Sequence, residues 1–182
     1  MNSMLKLVSF FLVISALSSC VHMHSSSGDS DISLVVDPFV FRIDSQDRPV
    51  IEVLSFTGSL AGANVTVGEN NEVGFGLSKT LPTGLFANGP VQLGMKNREF
   101  LESLLDGSNG SETLSKYRQA LGVSNANEIL QYVKGDWLFI LLSTELGPVA
   151  YGATNNYDLV FQINHNESFA ALDELIEEAS LK

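Results

Sequence analysis

The chain has 182 residues, with 10 Lys and Arg against 21 Asp and Glu, a formal charge of −11 and a sequence pI near 4.5. That balance argues against nucleic acid and against docking on anionic lipid, which basic faces hold, and suits solubility or a basic partner instead. A single cysteine excludes an internal disulfide, and 45% hydrophobic residues suffice for a packed core.

Residues 1–20, MNSMLKLVSFFLVISALSSC, carry one positive charge at Lys6, then an apolar run over 7–17 broken only by Ser9 and Ser15, then small residues. This is the three-part build of a secretory signal. The run is too short for a bilayer-crossing helix, which takes about 18–20 apolar residues. Its ending, Leu17-Ser18-Ser19-Cys20, resembles the lipobox of bacterial lipoproteins. The resemblance implies a diacylglyceryl group on the Cys20 thiol, cleavage between Ser19 and Cys20, and an N-acyl chain on the new terminus. One acyl chain holds a protein to a membrane only marginally, whereas two or three anchor it stably. Val21, rather than Asp, follows the cysteine. In a Gram-negative host the resemblance then implies the outer membrane, with the domain on its periplasmic or surface side; in a Gram-positive host it implies the outer leaflet of the plasma membrane. The mature chain would keep 163 residues and, having lost Lys6, a charge of −12. Three sequons, beginning at Asn64, Asn109 and Asn166, leave a eukaryotic secreted glycoprotein as the alternative origin.

The expected organisation is a signal peptide over 1–19, a lipidated cysteine and flexible tether over 20–31, and one globular domain over 32–182. The segment VHMHSSSGDS is polar and small, without apolar periodicity. His22, Met23 and His24 suggest metal binding, but two imidazoles and a thioether on a mobile tether make no shaped site. From Ile32 the chain alternates through Leu34 and Val36, and through Phe39, Phe41 and Ile43 after Pro38. This predicts a strand, and the cluster Asp44-Ser45-Gln46-Asp47 predicts a hairpin turn into a second strand over 49–56. Eight of the fifteen glycines lie in 58–94, where short strands over 63–67 and 72–77 fit between turns. Within this stretch, 57–67 (TGSLAGANVTV) locally resembles a strand of transthyretin-type, carboxypeptidase-regulatory-like β-sandwiches, which implies a sandwich edge.

Helices are expected next. Phe100, Leu101, Leu104 and Leu105 form one face of a helix ending at Gly107. Ser111 caps a second, with Leu114, Tyr117 and Leu121 on one side and Gly122 as its stop. Asn125 and Glu128 suggest a third, carrying Ile129, Leu130 and Val133 to Gly135. The run 136–143, DWLFILLS, is bulky on both faces and predicts a central strand buried above and below. Strands over 149–152 and 157–163 follow, then a helix capped by Asn166, with Phe169, Leu172, Ile176 and Ala179 as its buried stripe. The fold class expected is α+β: a mainly antiparallel β portion (about 32–94), short helices (about 96–134), then strands and a C-terminal helix.

No catalytic motif stands out. His165 is the only histidine outside the tether, and no Gly-x-Ser-x-Gly elbow presents a nucleophile to it, so a surface or capping role in the pre-helix loop is expected. Glu174, Glu177 and Glu178 share helical spacing and suit a solvated face; no Asp-x-Asp-x-Asp-Gly loop accompanies them. Asp106 and Asp136 flank element joints and suit turns. Trp137 is expected in the core, and becomes a ligand or partner contact if its strand end opens on a cleft. No catalytic residue, metal or cofactor beyond the acyl chains on Cys20 is expected. The leading reading is a non-catalytic binding or adaptor lipoprotein for another envelope component. Its alternatives are a periplasmic immunity lipoprotein neutralising a basic toxin, a carrier of small apolar ligands beside Trp137, and, least favoured, a small hydrolase using His165.

Overall fold

The computed structural model describes residues 21–25, 31–44, 49–55, 61–67, 73–80, 84–106, 111–165 and 168–182. It is an α+β fold with mainly β content, and its strands pair antiparallel in two sheets. The smaller sheet has the order β1-β2-β3-β11: β1 (Val21–Ser25), β2 (Asp31–Val36), β3 (Phe39–Asp44) and β11 (Ser180–Leu181). The larger has the order β4-β5-β6-β10-β9-β8-β7: β4 (Val50–Ser55), β5 (Ala61–Val67), β6 (Val73–Thr80), β7 (Glu128–Lys134), β8 (Trp137–Thr144), β9 (Gly147–Ala153) and β10 (Val160–His165). Three helices, α1 (Leu85–Leu93), α2 (Asn97–Leu105) and α3 (Glu112–Ala120), and a 3-10 turn (Val123–Asn125) lie between β6 and β7. The last helix, α4 (Phe169–Glu178), follows β10.

The run 137–142 explains the layering. All six side chains are buried, and strand geometry sends them alternately to opposite faces. Trp137, Phe139 and Leu141 enter a core shared with β2, β3, the larger sheet and Leu172, Leu175 and Ile176 of α4. Leu138, Ile140 and Leu142 enter a second core with Phe100, Leu101 and Leu104 of α2 and Leu114 and Tyr117 of α3. Each fully buried side chain of this size contributes roughly 1.5–3 kcal/mol, so β8 is the spine of both cores. It is not central, however: β7 lies outside it as the edge strand.

Four local expectations are corrected. The first hairpin turns at Asp37-Pro38, not at 44–47: Val36 pairs with Phe39 and Asp31 with Asp44, while β4 departs to the other sheet. A two-residue turn reverses the chain while keeping Leu34, Val36, Phe39, Phe41 and Ile43 on one buried face. Residues 128–134 form β7 rather than a third helix, because Ile129, Tyr132 and Val133 favour a pleated strand and Gly135-Asp136 is a two-residue hairpin turn into β8. Helix α1 lies inside the stretch expected to be β, despite Gly89 and Pro90 in its body. Gly89 is needed there: a Cβ would sit 2.5 Å from the ring of Phe100, which is fully buried between Phe86 and Tyr117. Finally, Val21–Ser25, expected as tether, is a strand in register with β2 from Val21↔Val36 to Ser25↔Ile32. Ladder bonds are made by the backbone, so polar composition does not forbid an edge strand.

Other expectations hold. The Ser111 hydroxyl accepts the Leu114 N–H at 3.1 Å, and Gly122 stops α3 in the left-handed region. Helix α2 presents Phe100, Leu101 and Leu104 to the core. Helix α4 buries Leu172 and Ile176 as expected, but its cap is Ser168, whose hydroxyl accepts the Ala171 N–H at 3.1 Å; Asn166 lies outside the described residues.

Candidate functional site

Helices α1–α3 cover only part of one face of the larger sheet. They pack on β8, β9 and the start of β10 through Leu138, Ile140, Val149, Ala153 and Val160. Toward β4, the same face carries residues that do not attract an apolar cover. One row across four strands reads Glu52, Asn64, Gly76 and Asn164, each paired with the next. The adjoining row holds Ser78 and Gln162. Asn64, Gln162 and Asn164 are exposed, and the Gln162 amide donates to the Asn164 Oδ1 at 3.3 Å. Glycines form part of the floor. At Gly74 a Cβ would run into the Val65 carbonyl oxygen at 1.9 Å, so no side chain can stand there.

Two clefts open on this face. The first, about 370 Å³, lies where the end of α3 meets the β8–β9 hairpin; the second, about 700 Å³, lies over β4, β5 and β6. Leu146, Gly147, Pro148, Asn164 and His165 line both. Leu146 is the ridge between them and is fully exposed at the hairpin tip. The tip is pinned: the Thr144 hydroxyl donates to the Gly147 carbonyl at 2.7 Å and accepts the Leu146 N–H at 3.2 Å. The charged carboxylates lining the two clefts are Glu52 and Glu145, with no lysine or arginine among the lining residues. Tyr151 stands at the boundary with the helical layer, its ring 5.1 Å from that of Phe86, and burial pushes its phenol upward. A third cleft, about 530 Å³, runs between α1 and the 154–158 loop, beside the Asn97–Asp158 hydrogen bond of 3.1 Å.

This arrangement offers amide, hydroxyl and carboxylate groups around one exposed leucine. It can accept hydrogen bonds from a cationic or amide-rich surface and bury one apolar anchor.

Comparison with protein families, with curated proteins and with solved structures finds no match to this chain. The local resemblance of 57–67 to a transthyretin-type strand therefore gains no family. Its described part, β5, lies between β4 and β6 rather than at an edge.

The residues singled out by sequence fall in different places. Ser19 and Cys20 lie outside the described residues. His22, Met23 and His24 lie in β1. Trp137 is 3% exposed, edge-on to Phe39 and Phe161 and stacked with Phe139. That cluster places it in the core, and it lines none of the three clefts. His165 is 9% exposed and stacks on Phe75, with ring centroids 6.1 Å apart; it ends β10 rather than occupying a loop. Glu174, Glu177 and Glu178 are exposed on α4, and no group of three or more His, Cys, Asp or Glu is placed to hold a metal among the described residues. Asp106 ends α2, and Asp136 sits in the β7–β8 turn, where its carbonyl accepts from Arg98 at 3.0 Å and its carboxylate from Asn156 at 2.5 Å. No described helix is long and apolar enough to cross a membrane. Sequence reasoning missed Leu146, Asn64 and Asn164. Their signal was a polar parity along strands whose opposite parity is apolar, and a leucine inside a two-residue turn.

Proposed function

We propose that this chain is a lipid-anchored envelope lipoprotein acting as a non-catalytic binding or adaptor protein, with a protein partner held on the open half of the larger sheet. The anchor is the diacylglyceryl group and N-acyl chain on Cys20, at the outer membrane of a Gram-negative host. The observation that carries the binding reading is Leu146, fully exposed on a pinned hairpin between two clefts whose charged carboxylates are Glu52 and Glu145. An exposed apolar residue on a rigid support, rimmed by polar groups, is how interfaces present an anchor. The chain's charge of −11 favours a partner with a basic surface. A toxin domain neutralised in the periplasm would be one such partner, and the same charge favours that second reading. The apolar-carrier reading loses support, since the Trp137 ring is packed among phenylalanines.

The test uses the full chain made in bacterial cells. Mass spectrometry of its N-terminal peptide is expected to find acyl mass on Cys20, lost in Cys20→Ser. After mild cross-linking of intact cells, Leu146→Asp is expected to lower recovery of the partner about tenfold or more, as loss of an anchor residue does. Lys116→Asp, on the exposed side of α3, leaves recovery unchanged. An unmodified Cys20 refutes the anchor, and equal recovery from Leu146→Asp refutes the contact surface.

A further inference from the structure

Strand β7 closes one edge of the larger sheet. A free edge presents unpaired N–H and C=O groups, and proteins usually blunt it with proline, bulges or very short strands. β7 has none of these: it runs seven residues, EILQYVK, and pairs with β8 without a break from Glu128↔Ser143 to Lys134↔Trp137. Its one lysine is turned onto its own body, where Lys134 Nζ donates to the Glu177 carbonyl at 2.6 Å and lies 5.8 Å from the Tyr132 ring centre.

The hairpin turn decides which groups face outward. Lys134 and Trp137 flank the two-residue turn and form a hydrogen-bonded pair. By alternation, Tyr132, Leu130 and Glu128 point their backbone groups at β8, while Val133, Gln131 and Ile129 point theirs away from the sheet. Two of those outward residues also leave large apolar side chains in solvent: Ile129 is 39% exposed and Val133 56%.

The strand is complementary to itself about Gln131. When two copies run antiparallel across a two-fold axis at Gln131, Glu128 faces Lys134 at both ends, Ile129 faces Val133, Leu130 faces Tyr132, and Gln131 faces its own copy. Every outward-pointing residue then enters a hydrogen-bonded pair, the exposed Ile129 and Val133 cover each other, and Glu128 comes opposite Lys134 of the copy, whose ammonium swings from the Glu177 carbonyl to meet it. Sliding the copies by two residues in either direction loses both charge pairs, so charge selects one register.

We infer that this chain pairs with a second copy of itself, edge to edge through β7, joining two seven-stranded sheets into one continuous antiparallel sheet. The surface is separate from the Leu146 clefts, so the pairing stands or falls independently of the partner proposed above.

The test uses the full chain carrying Cys20→Ser, so that an introduced cysteine is the only one. Gln131→Cys is expected to form an intermolecular disulfide under mild oxidation, because a hydrogen-bonded antiparallel pair sets Cα atoms about 5.5 Å apart, within disulfide reach. Ile129→Cys is expected to cross-link with Val133→Cys but not with itself. In the otherwise native chain, Glu128→Lys weakens association about tenfold in sedimentation equilibrium, and Glu128→Lys with Lys134→Glu restores it. Circular dichroism shows that each variant remains folded. A folded monomer, a dimer that Gln131→Cys does not trap, or Ile129→Cys joining itself as fast as it joins Val133→Cys overturns the proposal.

Discussion

Tyr132 shows how one side chain on β7 ties the strand to α4. Its hydroxyl donates to the Asp173 carboxylate at 2.6 Å. That bond first, then burial and the nearby charges of Asp173 and Glu177, raises its pKa from 10.0 to about 12. The folded state thus holds the phenolic proton more tightly than the unfolded chain does. The stabilisation is fully present below pH 10 and is lost as pH rises through about 12. Tyr132→Phe is expected to remove this alkaline loss of stability, and an ultraviolet titration should lose its latest-ionising tyrosine. Alkaline unfolding curves that coincide for the two proteins would contradict the assignment. Trp137 offers a contrast. Its residue type allowed either a platform or a core, and only the placement of Phe39, Phe139 and Phe161 around it decided for the core.

Among the elements, legibility followed how far local signals agreed. α3 was readable because Ser111, the apolar spacing and Gly122 all mark the same helix. β8 was readable because only a strand buried on both sides explains six bulky residues in a row. β7 was misread because Asn125 and Glu128 mimic a capping box, while the decisive signal, the Gly135-Asp136 turn, lay beyond the segment. In β2 and β3 the signal was a parity switch, since apolar positions move from 32, 34 and 36 to 39, 41 and 43 across Asp37-Pro38, as a two-residue turn requires. α1 was hidden by Gly89 and Pro90, whose helix propensities are poor; the tertiary need for space under Phe100 overrides propensity there. This gives a prediction with competing signs. Gly89→Ala should gain about 1 kcal/mol from helix propensity. The Cβ would lie 2.5 Å from the Phe100 ring, which is fully buried, and overpacking costs about 1–3 kcal/mol. The clash wins because the ring is held by Phe86 and Tyr117, so denaturant unfolding should show a net loss of stability. A net gain would mean that the ring moves freely.

At the level of the whole molecule, the asymmetry of the larger sheet organises everything else. One face is sealed by the smaller sheet and α4, whereas the other is sealed by helices only over β8, β9 and the start of β10. The sealed half was legible in the sequence as apolar parity. The open half was not, because Glu52, Asn64, Ser78, Gln162 and Asn164 read individually as ordinary solvent-facing residues. They form a surface only when β10 pairs with β6, which joins residues 80 or more positions apart. The signal for the anchor lies entirely within 1–20 and the binding face entirely within the folded part, so the two halves of the proposed role are tested separately. The most direct measurement places a photo-activatable residue at Asn64, Leu146 or Asn164 in the full chain and irradiates intact cells, with Lys116 and Glu174 as controls. The same partner is expected in the adducts from the first three positions and from neither control. Adducts of equal yield at Lys116 and Glu174, or none at the three sheet-face positions, would contradict a binding protein that works through this face.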